Sequence, residues 1–144
     1  MHRDGVQLSA LTIEQRRRLR DHHRANPRDF FKDVLGVELE DYQAEGVDEI
    51  FRNDRIAISA CHDVGKSFLL SGVVLALGTL YESTKIITTA PTARQVESIL
   101  WSEINTRYKR AKFPLGGRML TTQWKIDNDW FAMGFSPEKG AGSM

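Results

Sequence analysis

Apolar residues recur at helical spacing over the first part of the chain. The pattern predicts one helix over residues 12–24, with Thr12 as its N-cap. A second helix is expected to begin at Pro27, because proline fits the first turn of a helix, and to continue as an apolar stripe up to Gly36. A third helix is predicted over residues 41–53. The chain therefore begins with a helical segment.

From residue 55 onward the periodicity alternates between strand and helix. Residues 55–59 form a short β-type run, and a loop separates them from an apolar helix over residues 66–80. Residues 84–90 are typical of a second strand, and residues 92–109 of an amphipathic helix. This order favours a parallel sheet with right-handed crossovers.

Two further strands are expected near the end of the chain, over residues 120–126 and 130–135. They flank Asp127, Asn128 and Asp129, which are typical of a hairpin turn. The two carboxylates are also compatible with a metal site. The patterns together divide the chain into three parts: residues 1–54, a helical segment; residues 55–136, a partial core; and residues 137–144, a linker-like tail.

Composition and charge exclude several classes of protein. The 144 residues are 41% hydrophobic and 27% charged with a net charge of +1, so no field of one sign indicates a nucleic-acid or membrane partner. The single cysteine, Cys61, excludes an intramolecular disulfide and fits a reducing compartment. No secretory signal is recognised, and the longest apolar stretch is too short to span a bilayer. One basic cluster is typical of a solvated helix face, or alternatively of a surface for DNA or a partner: Arg16, Arg17, Arg18 and Arg20.

The strongest chemical signal lies in the loop before the apolar helix. The residues that fit the P-loop pattern, with alanine in place of the first glycine, are Ala60, Cys61, His62, Asp63, Val64, Gly65, Lys66 and Ser67. In such a loop, successive backbone N–H groups surround phosphate oxygens, and Gly65 permits their close approach. Lys66 is then expected to reach the β- and γ-phosphates, and Ser67 to ligate Mg²⁺.

Some side chains of this loop depart from the pattern. Ala60 adopts positive φ less freely than glycine does. Asp63 places a carboxylate where polyphosphate is held, so it is expected to point outward or to cap a neighbouring N–H; the alternative is that it lowers nucleotide affinity. Cys61 and His62 are adjacent on the loop and no acid orients the histidine, which disfavours a catalytic pair.

Three stretches together resemble the terminase large subunit of tailed phages. They are residues 30–37 followed by Tyr42 and Gln43, residues 58–67, and residues 86–96 running into residues 100–104. The resemblance covers roughly residues 27–136. It implies the N-terminal part of the ATPase domain, an α/β fold of the P-loop NTPase type. That fold is a three-layer sandwich with a mainly parallel sheet, preceded by N-terminal helices and here incomplete.

The resemblance also implies a function, cofactors and partners. The cofactors are ATP and Mg²⁺, and the activity is an ATPase that powers packaging of double-stranded viral DNA into procapsids in the cytoplasm of a bacterial host. The partners are the DNA, a small terminase subunit and a portal, and the intact protein is expected to form a homo-oligomeric ring.

Individual residues acquire roles from the same resemblance. Gln43 lies where the family reads adenine, and the alternative is an exposed helical glutamine. Arg94 follows the Thr-Ala-Pro-Thr segment and either senses phosphate, as a catalytic residue beside Lys66, or is an ordinary surface arginine. Trp101 is expected to pack in the core. The arginines equally placed to act in trans are Arg107, Arg110 and Arg118.

Catalysis also needs an acidic strand end, with an Asp for Mg²⁺ and a Glu to orient water. The sole Asp-Glu pair, Asp48-Glu49, lies in a helical stretch before the P-loop and is expected to be solvated. The resemblance places the acidic strand after residues 134–137. We therefore expect weak ATP binding and negligible hydrolysis by this chain. The alternatives are a fragment of a helicase-like P-loop ATPase and a degenerate, non-catalytic remnant.

Overall fold

A computed structural model of the chain describes residues 11–57 and 65–137. Within these ranges the fold is mixed α/β. The helices are α1 (Ile13–Ala25), α2 (Pro27–Phe30), α3 (Asp41–Arg52), α4 (Lys66–Leu80) and α5 (Trp101–Arg110). A π-helical segment, Phe31–Leu35, extends α2, and another, Gln95–Leu100, precedes α5. The strands are β1 (Lys85–Thr89), β2 (Arg118–Met119), β3 (Gln123–Asp127) and β4 (Trp130–Phe135).

The predicted helices are confirmed, and their ends have local causes. Thr12 caps α1, because its hydroxyl accepts a hydrogen bond from the Gln15 N–H at 3.1 Å and its own N–H donates to Gln15 Oε1 at 2.9 Å. Pro27 begins α2, and Gly36 ends the following π-helical segment in the left-handed conformation, with φ 69°. The apolar helix begins at Lys66, as predicted.

The sheet differs from the predicted one. Its strand order is β1-β4-β3-β2, and only β1 and β4 are parallel; β4 with β3 and β3 with β2 are antiparallel. The predicted hairpin joins β3 to β4, and this antiparallel turn is why the mainly parallel sheet is wrong. The mixed α/β class is confirmed, whereas a P-loop three-layer sandwich stays a prediction.

The strand predicted over residues 55–59 is not seen in its described part. Residues 55–57 form no strand, and residues 58 and 59 lie outside the described ranges. The strand that should lead into the P-loop therefore stays a prediction.

Helix α4 forms the centre of the core. Most of its residues are buried, and it contacts α1, α3, α5, β1 and β4. Two glycines allow this close packing, since a Cβ on Gly72 would overlap the Phe31 ring and a Cβ on Gly78 would overlap the Trp124 indole. The packing around α4 is therefore set by side-chain volume at these two positions.

Trp101, at the start of α5, is fully buried as predicted. Its indole N–H donates to the Thr88 hydroxyl at 2.9 Å, and that hydroxyl donates to the Met133 carbonyl at 3.1 Å. Thr88 lies on β1 and Met133 on β4, so this chain of hydrogen bonds fixes α5 against the parallel strand pair.

Candidate functional site

The predicted P-loop lies partly within the described residues. Gly65, Lys66 and Ser67 are among the described residues. The other positions of the predicted loop lie outside the described ranges, so their predicted roles stay predictions; they are Ala60, Cys61, His62, Asp63 and Val64. Structural support for a phosphate site therefore comes from the end of the loop and from its surroundings.

Gly65 leads into α4 in the left-handed conformation, with φ 81° and ψ 23°. Its carbonyl accepts the first hydrogen bond of the helix, from the Leu69 N–H at 2.9 Å. Glycine adopts this conformation without the steric cost that a Cβ imposes. The sequence requirement for Gly65 thus has a backbone cause at the point where the loop becomes a helix.

The first turn of α4 is suited to an anion. No side chain caps it among the described residues, and it contains no acidic residue. Its first backbone N–H groups therefore lack helical partners and add to the positive end of the helix dipole. Lys66 is exposed there and Ser67 is half-buried. An anion at this end would meet backbone N–H groups, an ammonium and a hydroxyl.

The direction of α4 places that first turn relative to the sheet. The Trp130 indole N–H, at the start of β4, donates to the Gly78 carbonyl near the end of α4 at 2.7 Å. The end of α4 thus lies beside the start of β4, and a short connection leads from α4 into β1, on which α4 also packs. We infer that α4 runs opposite to both strands, so that its N-terminus points toward their carboxyl ends. In open α/β sheets, ligands bind at this edge.

Gln43 lies beside the end of the loop. A Cβ on Gly65 would lie only 2.9 Å from Nε2 of Gln43, so the amide group is in contact with Gly65. The other end of the amide, Oε1, accepts the Glu40 N–H at 3.0 Å and so helps to cap α3. Gln43 is therefore not simply a helical surface residue, since it links the start of α3 to the start of α4.

The segment after β1 begins a helix at the same edge of the sheet. The Thr92 hydroxyl accepts the Gln95 N–H at 3.1 Å, and the Thr92 N–H donates to Gln95 Oε1 at 3.2 Å. This reciprocal cap positions Arg94 in the first turn, where its side chain is exposed. Both interpretations of Arg94, as a phosphate sensor and as a surface arginine, stay open.

The arginines proposed to act in trans have different surroundings. The Arg107 guanidinium stacks on Phe68, in the first turn of α4, with its Cζ 4.9 Å from the ring centroid. Arg110 is exposed at the end of α5, and Arg118 lies in β2. Arg107 thus contacts, within the chain itself, the helix that follows the predicted P-loop.

The Asp-Glu pair lies in α3, as predicted, but it is engaged rather than simply solvated. Asp48 accepts hydrogen bonds from the Arg28 guanidinium, one of them from Nε at 3.1 Å, and Glu49 pairs with Arg52 at 2.9 Å. The hydrogen bond from Arg28 to Asp48, together with the charge of Asp48, raises the pKa of Arg28. Asp48 thus links α2 to α3, Glu49 forms its ion pair within α3, and neither carboxylate follows a strand.

Sequence reasoning missed a groove of about 400 Å³ between the α1–α2 junction and α3. Its lining includes Arg24, Arg28, Asp48, Phe51 and Arg52. The charged groups are largely used within the fold, since Arg24 donates to the Leu80 carbonyl at 2.6 Å and the others form ion pairs. No local spacing signals this groove, because Arg28 and its partner are 20 residues apart.

Two other sequence candidates form local contacts within the fold. Asp127 accepts the Asn128 N–H at 2.8 Å within the β3–β4 turn, and the described residues contain no group of three or more potential metal ligands. On α1, Arg17 and Arg18 pair with Glu14, which fits a solvated face.

None of the described helices is long and apolar enough to cross a membrane.

The geometry thus brings Gly65, Lys66, Ser67 and Gln43 together, with Arg94 on the segment that follows the neighbouring strand β1. Comparison of the chain with protein-family models, curated proteins and solved structures found no match in any of the three.

Proposed function

We propose that this chain binds Mg-ATP at the N-terminus of α4 and is the ATP-binding part of a terminase large subunit ATPase. The observation that carries the proposal is the start of α4. A left-handed Gly65 leads into a first turn that contains Lys66 and Ser67, that no described side chain caps, and that we infer to point toward the carboxyl ends of β1 and β4. Polyphosphate is the anion that such a turn, with a lysine and a hydroxyl, binds best.

Each residue has a definite part in the proposal. Backbone N–H groups of the first turn of α4 would donate to phosphate oxygens, and Lys66 would neutralise the terminal phosphates. The Ser67 hydroxyl would ligate the Mg²⁺ that accompanies ATP, and that ion supplies charge neutralisation between the phosphates. The Gln43 amide would meet the adenine edge, with Nε2 as the donor on the side of Gly65.

The wider role rests on the resemblance in the sequence. It comprises packaging of double-stranded viral DNA into procapsids, in the bacterial host cytoplasm, with a small terminase subunit and a portal as partners. Hydrolysis by this chain alone is not proposed, because Asp48 and Glu49, the sole Asp-Glu pair, are engaged in ion pairs on α3.

Replacement of Lys66 by alanine tests the site. Isothermal titration calorimetry should show saturable Mg-ATP binding by the unaltered chain and affinity reduced at least about tenfold in Lys66→Ala, the equivalent of ~1.4 kcal/mol. Lys85→Ala is the matched control, because Lys85 is likewise exposed and lies at the start of β1, the opposite end of that strand from the proposed site. Its affinity for Mg-ATP should be unchanged.

Two results would contradict the proposal. Absence of saturable binding by the unaltered chain would favour the degenerate remnant, and equal losses in Lys66→Ala and Lys85→Ala would indicate non-specific attraction between charges.

A second prediction separates the two roles of Gln43. Gln43→Glu keeps an oxygen to accept the Glu40 N–H but replaces the donor beside Gly65 with a negative charge. We expect Mg-ATP affinity to fall about tenfold, while the free energy of unfolding, measured in urea, changes by less than ~0.5 kcal/mol.

The control for Gln43 lies in α1, where Gln15 makes the same reciprocal cap with Thr12. Gln15→Glu introduces the same charge in the same local geometry and should leave Mg-ATP affinity unaltered. If Gln43→Glu binds Mg-ATP as the unaltered chain does, Gln43 is a helix cap and does not contact the nucleotide.

A further inference from the structure

The two faces of the sheet are covered differently. One face carries Trp124 and Ala132, which are fully buried, and Trp124 meets α4 at Gly78. In register with Ala132 on this face is Ile86 of β1, which packs against the core. This is the face on which the helices lie.

Strand residues of the opposite face alternate with these. We call this second surface the open face, and its residues are Arg118 of β2, Gln123 and Lys125 of β3, Phe131, Met133 and Phe135 of β4, and Lys85, Ile87 and Thr89 of β1. All are exposed or half-buried, and Ile87 is 53% exposed. Within the described ranges, none of its apolar side chains belongs to the core cluster or packs against it.

A row of cations crosses the open face. Arg118 pairs in register with Lys125, Lys125 pairs with Phe131, and Phe131 pairs with Lys85. Three positive side chains and one aromatic ring therefore lie in line across the four strands. Like charges directly opposite on neighbouring strands destabilise a sheet. The arrangement is therefore unfavourable by itself and becomes favourable when an anionic group covers it.

Among the strand residues that the structure describes, the open face contains no carboxylate. The nearest strand carboxylate is Asp127, which lies after an irregularity in the β3–β4 register. Its register partner is Trp130, and the Trp130 indole contacts α4 on the other face of the sheet. The cations of the row also form no ion pair among the described residues. Neutralising charge is thus absent from the described residues of the open face.

Beside the row lies an apolar strip. Ile87 and Met133 are register partners on the parallel strands β1 and β4, and Phe131 and Phe135 flank Met133 along β4. Strand β4 is interior to the sheet and is apolar on both of its faces, which is typical of sheets covered by helices on both sides. The strip follows two strands that lie ~4.8 Å apart, a width that suits one helix of about 10 Å diameter.

We propose that the open face docks an amphipathic helix of a partner protein. The apolar stripe of this helix would lie on Ile87, Met133 and Phe135, and its carboxylates would lie on the row of Lys85, Lys125 and Arg118. Charge complementarity selects an acidic helix, and the continuous apolar strip disfavours a nucleic-acid duplex, whose phosphate surface offers the strip no apolar contact. The inference does not depend on nucleotide binding.

The test uses the full chain and two synthetic helical peptides about 20 residues long, equal to ~30 Å of helix. Both carry leucines at helical spacing, and the flanking positions are glutamates in one peptide and lysines in the other. By fluorescence anisotropy, the glutamate peptide should bind at least about tenfold more tightly. Arg118→Glu/Lys125→Glu should reverse this preference, and Ile87→Ser should weaken binding of the glutamate peptide about tenfold.

Arg17→Glu/Arg18→Glu on α1 is the matched control, since it makes the same change in net charge on another exposed surface. It should leave the preference for the glutamate peptide intact. The proposal is overturned if neither peptide binds, if the α1 variant reverses the preference equally, or if a single-stranded oligonucleotide binds more tightly than the glutamate peptide and requires Phe131 and Phe135. Circular dichroism of each variant establishes that it is folded.

Discussion

Replacing Gly72 by alanine is expected to destabilise the protein by about 1–3 kcal/mol, the typical effect of overpacking a core. The added methyl group would overlap the ring of Phe31, which is almost completely buried and cannot move into solvent. Alanine is intrinsically the better helix former by ~1 kcal/mol, so a net loss would show that packing outweighs backbone propensity at this position. Urea denaturation of the purified protein measures the effect.

Gly46 in α3 provides the matched control. A Cβ there would lie 3.6 Å from Leu69 Cδ2, an ordinary van der Waals contact, so Gly46→Ala should stabilise the protein by up to ~1 kcal/mol. When Phe31→Leu is combined with Gly72→Ala, the smaller side chain at position 31 should restore part of the stability that Gly72→Ala alone loses. The interpretation fails if Gly72→Ala is as stable as the unaltered protein, or if both glycine substitutions shift stability equally.

Gly65→Ala is expected to weaken Mg-ATP binding about a hundredfold, or ~2.7 kcal/mol, with the fold retained. Alanine at φ 81° is strained, and its Cβ would lie 2.9 Å from Nε2 of Gln43. The Gln43 amide is the end of a flexible side chain and can move aside, but the strain at φ 81° is relieved only if the end of the loop moves. Several backbone N–H groups would then no longer point at the phosphates, so the loss of Mg-ATP affinity should exceed that in Lys66→Ala. Calorimetry with Mg-ATP measures it.

Gly116 provides a control that separates the effect of backbone strain on stability from an effect on the nucleotide site. It has φ 83° and nothing within 4 Å of an added Cβ, so Gly116→Ala imposes similar strain without a steric clash. Both variants should lose about 1–2 kcal/mol of stability, the cost of a left-handed alanine, but Gly116→Ala should keep its full affinity for Mg-ATP. Equal affinity losses in the two variants would mean that general destabilisation, rather than loop geometry, controls binding.

Local structure was the part most predictable from sequence. The boundaries of α4, the cap at Thr12 and the turn between β3 and β4 all follow from residues within a few positions of one another. Short-range hydrogen bonds and side-chain periodicity determine such features, and both are visible in the sequence.

Strand pairing was less predictable. The prediction of a mainly parallel sheet rested on the alternation of strands and helices earlier in the chain. The hairpin makes β3 antiparallel to β4, and β2 is in turn antiparallel to β3. Alternation of apolar residues specifies which side chains share a face, and it carries no information on which strand lies alongside.

The site shows the same division between local and long-range information. The need for a glycine at position 65 followed from the motif, whereas its left-handed conformation was not predicted. The contact of Gln43 with Gly65 and the ion pair between Arg28 and Asp48 join separate elements. Gln43 was singled out only by resemblance. Its cap on Glu40 has a recognisable spacing of three residues, which a search for capping boxes with glutamate as the first residue would have found.

The parallel pairing of β1 with β4 has a consequence for the order of folding. The hydrogen bond from Thr88 to Met133 joins residues 45 positions apart, whereas the β3–β4 hairpin needs only local chain closure. Loop-closure entropy opposes the distant contact more strongly, so we expect the hairpin to form before β1 joins β4. The sheet edge at which nucleotide is proposed to bind would then be absent until β1 joins β4, which makes recovery of nucleotide binding a reporter of that pairing.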